Sequence, residues 1–239
     1  MKTGKIILAA AAFIIVAAFL AKDYVSETAQ AKEPANTVKP DDKDDMSGWS
    51  KASKTAAMMI KKKYGEPDEK SDVMMMWKDT GPWKRTIVYA KEYEHDFPIP
   101  HSDVVQQWID YQVPEDKFDE LARFDGSVVC NRTNGELSAR CNKEEANMLA
   151  INLAYDIIKG NKDVQAARDF YAKQVKDMIN GGDPRYTRKL IFTPPSGNTA
   201  DTDKPSSIIS DSDIEKAKQM REKMEREMEQ AAGTDGWMK

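Results

Sequence analysis

Hydrophobic and polar positions change their period several times along this chain, and each change marks an element. The widest apolar pattern runs from Lys143 to Lys159. At about 100° per residue, Glu145, Asn152, Asp156 and Lys159 fall on one narrow stripe. Ala146, Leu149, Ala150, Leu153, Ala154 and Ile157 cover one flank of that stripe, and Met148, Ile151, Tyr155 and Ile158 cover the other. A helix apolar around most of its circumference is packed on several sides, so this helix is predicted to lie at the centre of a domain. Asn142, three residues before Glu145, predicts a capping box at its start, and Gly160 predicts a left-handed C′ residue at its end. Asn147 falls inside the apolar arc. It predicts either a structural hydrogen bond to neighbouring backbone or a contact with a ligand.

Period-two alternation marks the strands. Asp72–Lys78 and Trp83–Lys91 read as a pair joined by Asp79-Thr80-Gly81-Pro82, with Trp83, Arg85, Ile87 and Tyr89 on one face. Val104–Val113 alternates in its second half, and Ser127–Arg132 is a short valine-bearing strand before Asn134-Gly135, a hairpin-turn dipeptide. Tyr186–Thr193 reads as a last strand. Helical spacing recurs at Trp49, Ala52, Ala56, Met59, Ile60 and Lys63, closed by Gly65 and Pro67. It recurs in a short helix through Phe118, Leu121, Ala122 and Phe124 after Pro114, and from Asp163 to Ile179, where Val164, Ala167, Tyr171, Val175 and Met178 share a side. Glu92–Asp103, with Pro98 and Pro100, reads as a loop. Hairpin-linked strands and runs of helices predict an α+β fold: an antiparallel sheet of hairpins packed with helices, one of them central and largely buried.

The chain's two ends differ from this region, residues 46–193. Lys2 and Lys5 precede an uninterrupted apolar run, Ile6–Ala21, the pattern of a secretory signal, and Ala29-Gln30-Ala31 permits cleavage after residue 31. Uncleaved, residues 1–31 would serve as an N-terminal anchor, the chain's only predicted membrane contact. Residues 32–45 are polar and acidic and predict a disordered tether. Residues 194–207 hold three prolines among small polar residues and predict a linker. Residues 208–239 are charge-dense. Ile214, Ala217, Met224, Met228 and Ala231 form a thin seam broken by Arg221, so residues 211–232 predict either a solvated helix or a docking helix for an envelope partner or a second copy.

Tyr64-Gly65-Glu66-Pro67-Asp68-Glu69, Gly81-Pro82-Trp83-Lys84-Arg85, Phe97-Pro98-Ile99-Pro100-His101 and Cys141-Asn142-Lys143-Glu144-Glu145 resemble segments of a group of uncharacterised bacterial exported proteins. The resemblance spans residues 49–193. It implies an exported bacterial protein, periplasmic or anchored in the inner membrane facing the periplasm, and it implies no activity and no site residues.

Composition narrows the chemistry. A net charge of −4 over 239 residues lacks the basic footprint that phosphate neutralisation needs, which argues against nucleic acid. Fingerprints of serine hydrolases, P-loops and dinucleotide sites are missing from the sequence, so no cofactor is implied. Cys130 and Cys141 are the only cysteines. An oxidising compartment favours a disulfide between them, with two free thiols as the alternative. A two-residue turn at Asn134-Gly135 would set Cys130 opposite Ala139, whereas a four-residue loop, Asn134–Leu137, would set the cysteines opposite each other. His95 and His101, the only histidines, stand near Glu94, Asp96 and Asp103. Imidazole with carboxylate can ligate a metal or act as an acid–base pair, although the intervening prolines forbid helical presentation and a solvated loop is the plainer expectation. Trp77, Trp83, Tyr89, Tyr93 and Trp108 would either pack in the core or stack on a sugar or peptide. The leading expectation is a non-catalytic binding or scaffolding protein of the envelope. The other is a metal- or histidine-dependent hydrolase working through residues 94–103.

Overall fold

The computed structural model describes residues 46–234, with side chains to residue 230. The predicted export segment, 1–31, and acidic tether, 32–45, lie outside the described residues. Chain order is α1 (Lys51–Tyr64), β1 (Glu69–Lys70), β2 (Met74–Thr80), β3 (Trp83–His95), β4 (His101–Asp110), a single 3-10 turn (Glu115–Lys117), α2 (Phe118–Phe124), β5 (Val128–Asn131), β6 (Glu136–Cys141), α3 (Glu144–Ile158), α4 (Val164–Ile179), α5 (Arg185–Arg188) and α6 (Asp211–Thr234). The strands form one antiparallel sheet in the order β1-β2-β3-β4-β6-β5. The α+β class read from the chain's pattern is the class observed.

Register explains how the helices cover this sheet. Met75, Val88, Val105 and Cys141 stand abreast on four strands, and Trp77, Thr86, Gln107, Ala139 and Val128 form the next rung on the same face. Helix α1 lays Ala56, Ala57 and Ile60 on Met75, Trp77, Val88 and Val105. Helix α3 covers Ile109, Leu137, Ala139 and Val128 on that same face. Buried side chains surround α3, as its apolar circumference requires. Helices α4 and α2 complete the layer, with Tyr171, Leu121 and Phe124 in the core. Ser50 caps α1 by accepting from the Ser53 amide at 3.0 Å. Gly65, at φ +86°, ends it in a conformation that glycine adopts without strain.

The opposite face holds Met74, Met76, Arg85, Ile87, Tyr89, Gln106, Trp108, Ser138, Arg140 and Val129. Arginines cap its aromatics: Arg85 lies 4.3 Å from the Trp108 ring centroid, and Arg140 lies 4.4 Å from Tyr89 and 4.7 Å from Tyr93. The predicted aromatic set therefore divides, since Trp77 and Trp83 are buried. Trp83 departs from its expected partners Arg85, Ile87 and Tyr89. Its indole N–H donates to Glu144 at 2.9 Å, and Glu144 also accepts from Tyr64 at 2.7 Å.

Several local expectations are corrected. Residues 92–103 are not a loop, because β3 runs to His95 and β4 begins at His101, leaving only Asp96–Pro100 to turn. Met59 is exposed, and the buried face of α1 runs through Ser53 and Ala57 instead. The N-cap of α3 is Lys143 and it has no side-chain cap, so Asn142 and Glu145 form no capping box. Residues 186–193 are not a strand. Asn152, buried in α3, donates to the carbonyls of Tyr186 at 2.9 Å and Lys189 at 2.8 Å and accepts from the Ile191 amide at 2.9 Å, so one side chain takes the bonds a sheet neighbour would have supplied. Phe192 then stacks on Tyr155, centroids 4.1 Å apart. The stretch 194–207 is more than a linker. Thr199 donates to the Gly135 carbonyl at 2.7 Å, and Arg132 pairs with Asp201 at 2.9 Å and Asp203 at 2.8 Å.

The β5–β6 hairpin has neither predicted register. Asn131 faces Glu136 across the four-residue loop Arg132–Gly135, so Cys130 lies opposite Leu137, while Cys141 shares a rung with Val105. Four residues of offset is roughly 13 Å along a strand, beyond the reach of a disulfide. Both thiols are unbridged.

Candidate functional site

The β3–β4 hairpin brings the two histidines together. His95 and His101 are cross-strand partners, and Asp103 follows two residues along β4. The imidazole centroids are 4.9 Å apart. One ligand-capable atom from each of His95, His101 and Asp103 lies within 4.8 Å of the others. His101 Nδ1 is 2.8 Å from the Ile99 carbonyl, so a proton on that nitrogen has its acceptor. Its Nε2 faces Asp103 Oδ1 at 3.2 Å and Cys141 Sγ at 3.2 Å. Asp103 Oδ1 is buried and receives no hydrogen bond, since Nε2 is near but not aligned. Asp103 Oδ2 accepts from Ser127 Oγ. His95 places Nδ1 3.4 Å from Asp103 Oδ2 and Nε2 3.8 Å from Asp125 Oδ1.

The charges follow from this packing. Burial opposes an imidazolium at His101, but Asp103 and Cys141 beside it prevail and raise its pKa from 6.5 to about 11. Burial pushes the Asp103 carboxyl up, yet His101, Ser127 and His95 outweigh burial and hold it below its ordinary value. Burial raises the carboxyl of Asp125, against the bond it accepts from the Ser127 amide.

The site lies between two concavities. His101 and Cys141 line a cleft of about 260 Å³ whose walls are mostly apolar, including Ile99, Leu149, Tyr171, Val175 and Met178. His95, Asp103 and Ser127 line another of about 360 Å³ together with Arg140 and Tyr93. His95 has Ser127 Oγ 3.4 Å from Nδ1 and Asp125 Oδ1 3.8 Å from Nε2, but the Ser127 hydroxyl donates to Asp103, and around His101 there is no nucleophilic relay. A triad holds its base between nucleophile and acid on different ring nitrogens, whereas Cys141 and Asp103 both approach Nε2 of His101.

Of the residues singled out in the sequence, His95, His101 and Asp103 converge here, and Cys141 joins them through His101. Asp96 is exposed on the turn, apart from the group. Cys130 lies on β5, where burial pushes its thiol up to about 11. Asn147 is fully buried between α3 and the sheet, its amide donating to the Val105 carbonyl and to Gln107 Oε1, both at 3.0 Å. Sequence reasoning missed Asp125 and Ser127. Asp125-Gly126 is locally no more than a turn dipeptide, and no local spacing ties residue 125 to a hairpin 30 residues upstream.

Among the described residues no helix is long and apolar enough to cross a membrane. No family model, curated protein or solved structure matches the chain.

Proposed function

We propose that this chain is an exported bacterial envelope protein that works by non-covalent binding and presents its C-terminal helix to a partner. Export is supported by the N-terminal charge and apolar pattern and by the resemblance to exported proteins. The observation that supports binding is α6. Its 24 residues stand with every described side chain exposed except the half-buried Ile214, and Met224 and Met228 of its seam are 60% and 70% exposed. The docked residues 199–203 fix the point from which this helix leaves the domain.

The seam also says what kind of partner fits. Ile214, Arg221 and Met228 occupy one heptad position, and Ala217 and Met224 the other. In a parallel pair of identical helices Arg221 would face its own copy, placing like charges in the contact. A partner helix with an apolar seam and a carboxylate opposite Arg221 is favoured over self-association.

The test is in-cell crosslinking with the full chain, with a chain ending at Ser210 that keeps the docked segment, and with the Met224→Asp/Met228→Asp variant. Capture of one envelope protein by the full chain alone supports the reading. Equal capture by all three forms, or a full chain that sediments as a dimer which the variant abolishes, overturns it. The hydrolase reading draws on the apolar cleft beside His101, but Cys141 and Asp103 approach one nitrogen of that ring, and the Ser127 hydroxyl beside His95 is committed to Asp103.

A further inference from the structure

We infer that His95, His101 and Asp103 bind one divalent first-row transition-metal ion, with zinc(II) the ion the donor set suits. The site is independent of the C-terminal helix.

Four observations carry this. The three donors project from paired strands rather than from a loop, so the hairpin ladder sets their spacing. Each is held from behind in a way that leaves one donor atom over. The Ile99 carbonyl accepts the Nδ1 proton of His101 and turns Nε2 toward the group, where a bound metal ion would replace the Nε2 proton. Ser127 occupies Oδ2 of Asp103 and leaves Oδ1, a buried carboxylate oxygen with no hydrogen bond. Asp125, itself buried, stands 3.8 Å behind Nε2 of His95, and Nδ1 faces the group, 3.4 Å from both Asp103 Oδ2 and Ser127 Oγ. Metal-binding histidines are oriented by such carbonyl and carboxylate partners. Asp103 Oδ1 has the His101 ring 3.2 Å away but no aligned hydrogen bond, and a metal ion at this point would take its free lone pair.

The donor set selects the ion. Two imidazoles and one carboxylate suit zinc and its first-row neighbours, whereas magnesium and calcium take oxygen ligands almost throughout. Cys141 Sγ, 3.2 Å from the same Nε2, is a further donor close by. Access is available from both sides, because His101 lines one cleft and His95 and Asp103 line the other. The convergence of carboxylate and thiol on one ring nitrogen, which does not fit a proton relay, fits ligands gathered around a common centre.

The experiment is calorimetric titration of the protein, as processed in the cell, with zinc chloride, and with magnesium and calcium chlorides as controls. One zinc per chain is expected, with no heat from the controls. His95→Ala and His101→Ala should each weaken binding by about 100-fold or more, and Asp125→Asn by about 10–100-fold, the usual effect of removing an outer-shell partner. Near-ultraviolet circular dichroism establishes that the variants are folded. The parent gives a readout independent of any variant. The chain has only two histidines, so nitrogen NMR of the imidazoles should show both rings perturbed by zinc, with His101 keeping its proton on Nδ1. No zinc uptake by the parent, uptake with both imidazole spectra unmoved, or a folded double-histidine variant that binds like the parent would each overturn the site.

Discussion

Replacing Asn152 by Ala removes three of the hydrogen bonds that hold residues 186–191 on α3, leaving that of the Tyr186 hydroxyl to Asp156. Each is worth about 1 kcal/mol net, so the loss should be about 3 kcal/mol. In a domain of this size that is a fall in melting temperature of roughly 6–12 °C. Because the released carbonyls can reach water once the segment lifts, the damage should begin locally. Hydrogen exchange at the Ile191 amide should accelerate before the sheet amides do. Asn152→Asp sharpens the test. Aspartate keeps the acceptor for the Ile191 amide but turns a carboxylate oxygen toward two carbonyls, so at neutral pH it should destabilise at least as much as alanine. Lowering the pH should recover part of the loss, since the protonated acid donates again. Urea unfolding of the three proteins, with exchange measured in parallel, is the assay. An aspartate variant within about 1 kcal/mol of the parent at neutral pH would show that the two donated bonds do not hold the segment, and the account of its non-strand conformation would fail.

Two further outcomes follow from the other end of the sheet. Arg85 donates to both oxygens of Glu136 at 2.7 Å and Lys84 lies at 3.0 Å; these bonds hold the Glu136 pKa at about 2, below its ordinary 4.5, against the effect of burial. A depressed carboxylate contributes stability above its unfolded pKa and loses it as pH falls through the folded one. Unfolding free energy should therefore drop by about 2–3 kcal/mol between pH 4.5 and about 2, after allowing for the partly exposed Arg85 and Lys84, and Glu136→Gln should remove that slope; parallel curves for the two proteins would refute it. Gly135 sits at φ +64°, and an added Cβ would come 2.1 Å from the Thr199 backbone carbon. Gly135→Ala should cost more than about 1 kcal/mol and expose residues 198–203 to limited proteolysis. Cleavage in that stretch at the parent's rate would show that it is not docked through this contact.

Much of the fold could be read from local pattern because local physics decides it. The period of α3, the alternation of β2 and β3 and the turn at Asn134-Gly135 all reflect constraints within a few residues. What was not legible depends on partners far away in sequence. Residues 186–193 alternate like a strand, yet their amides and carbonyls are taken by Asn152, some 35 positions upstream. The cysteine register turned on which residues close the β5–β6 loop, which the Asn-Gly dipeptide alone does not fix. The histidines were visible as residues, but their meeting was not. Pro98 and Pro100 suggested an irregular loop, while the ladder continued on either side of them and made His95 and His101 cross-strand partners. Asp125 and Ser127 enter the centre only through tertiary packing, and no spacing in the sequence points to them.

The two margins of the sheet differ from its interior in one respect. At one margin stands β1, only Glu69 and Lys70, and at the other β5, four residues long. A strand from another molecule needs a run of unpaired amides and carbonyls to align on, and among the described residues the two outermost strands themselves offer only two and four residues. Recruitment of a foreign strand at those two borders is disfavoured by their brevity. At these borders, contact through side chains is favoured over contact through backbone.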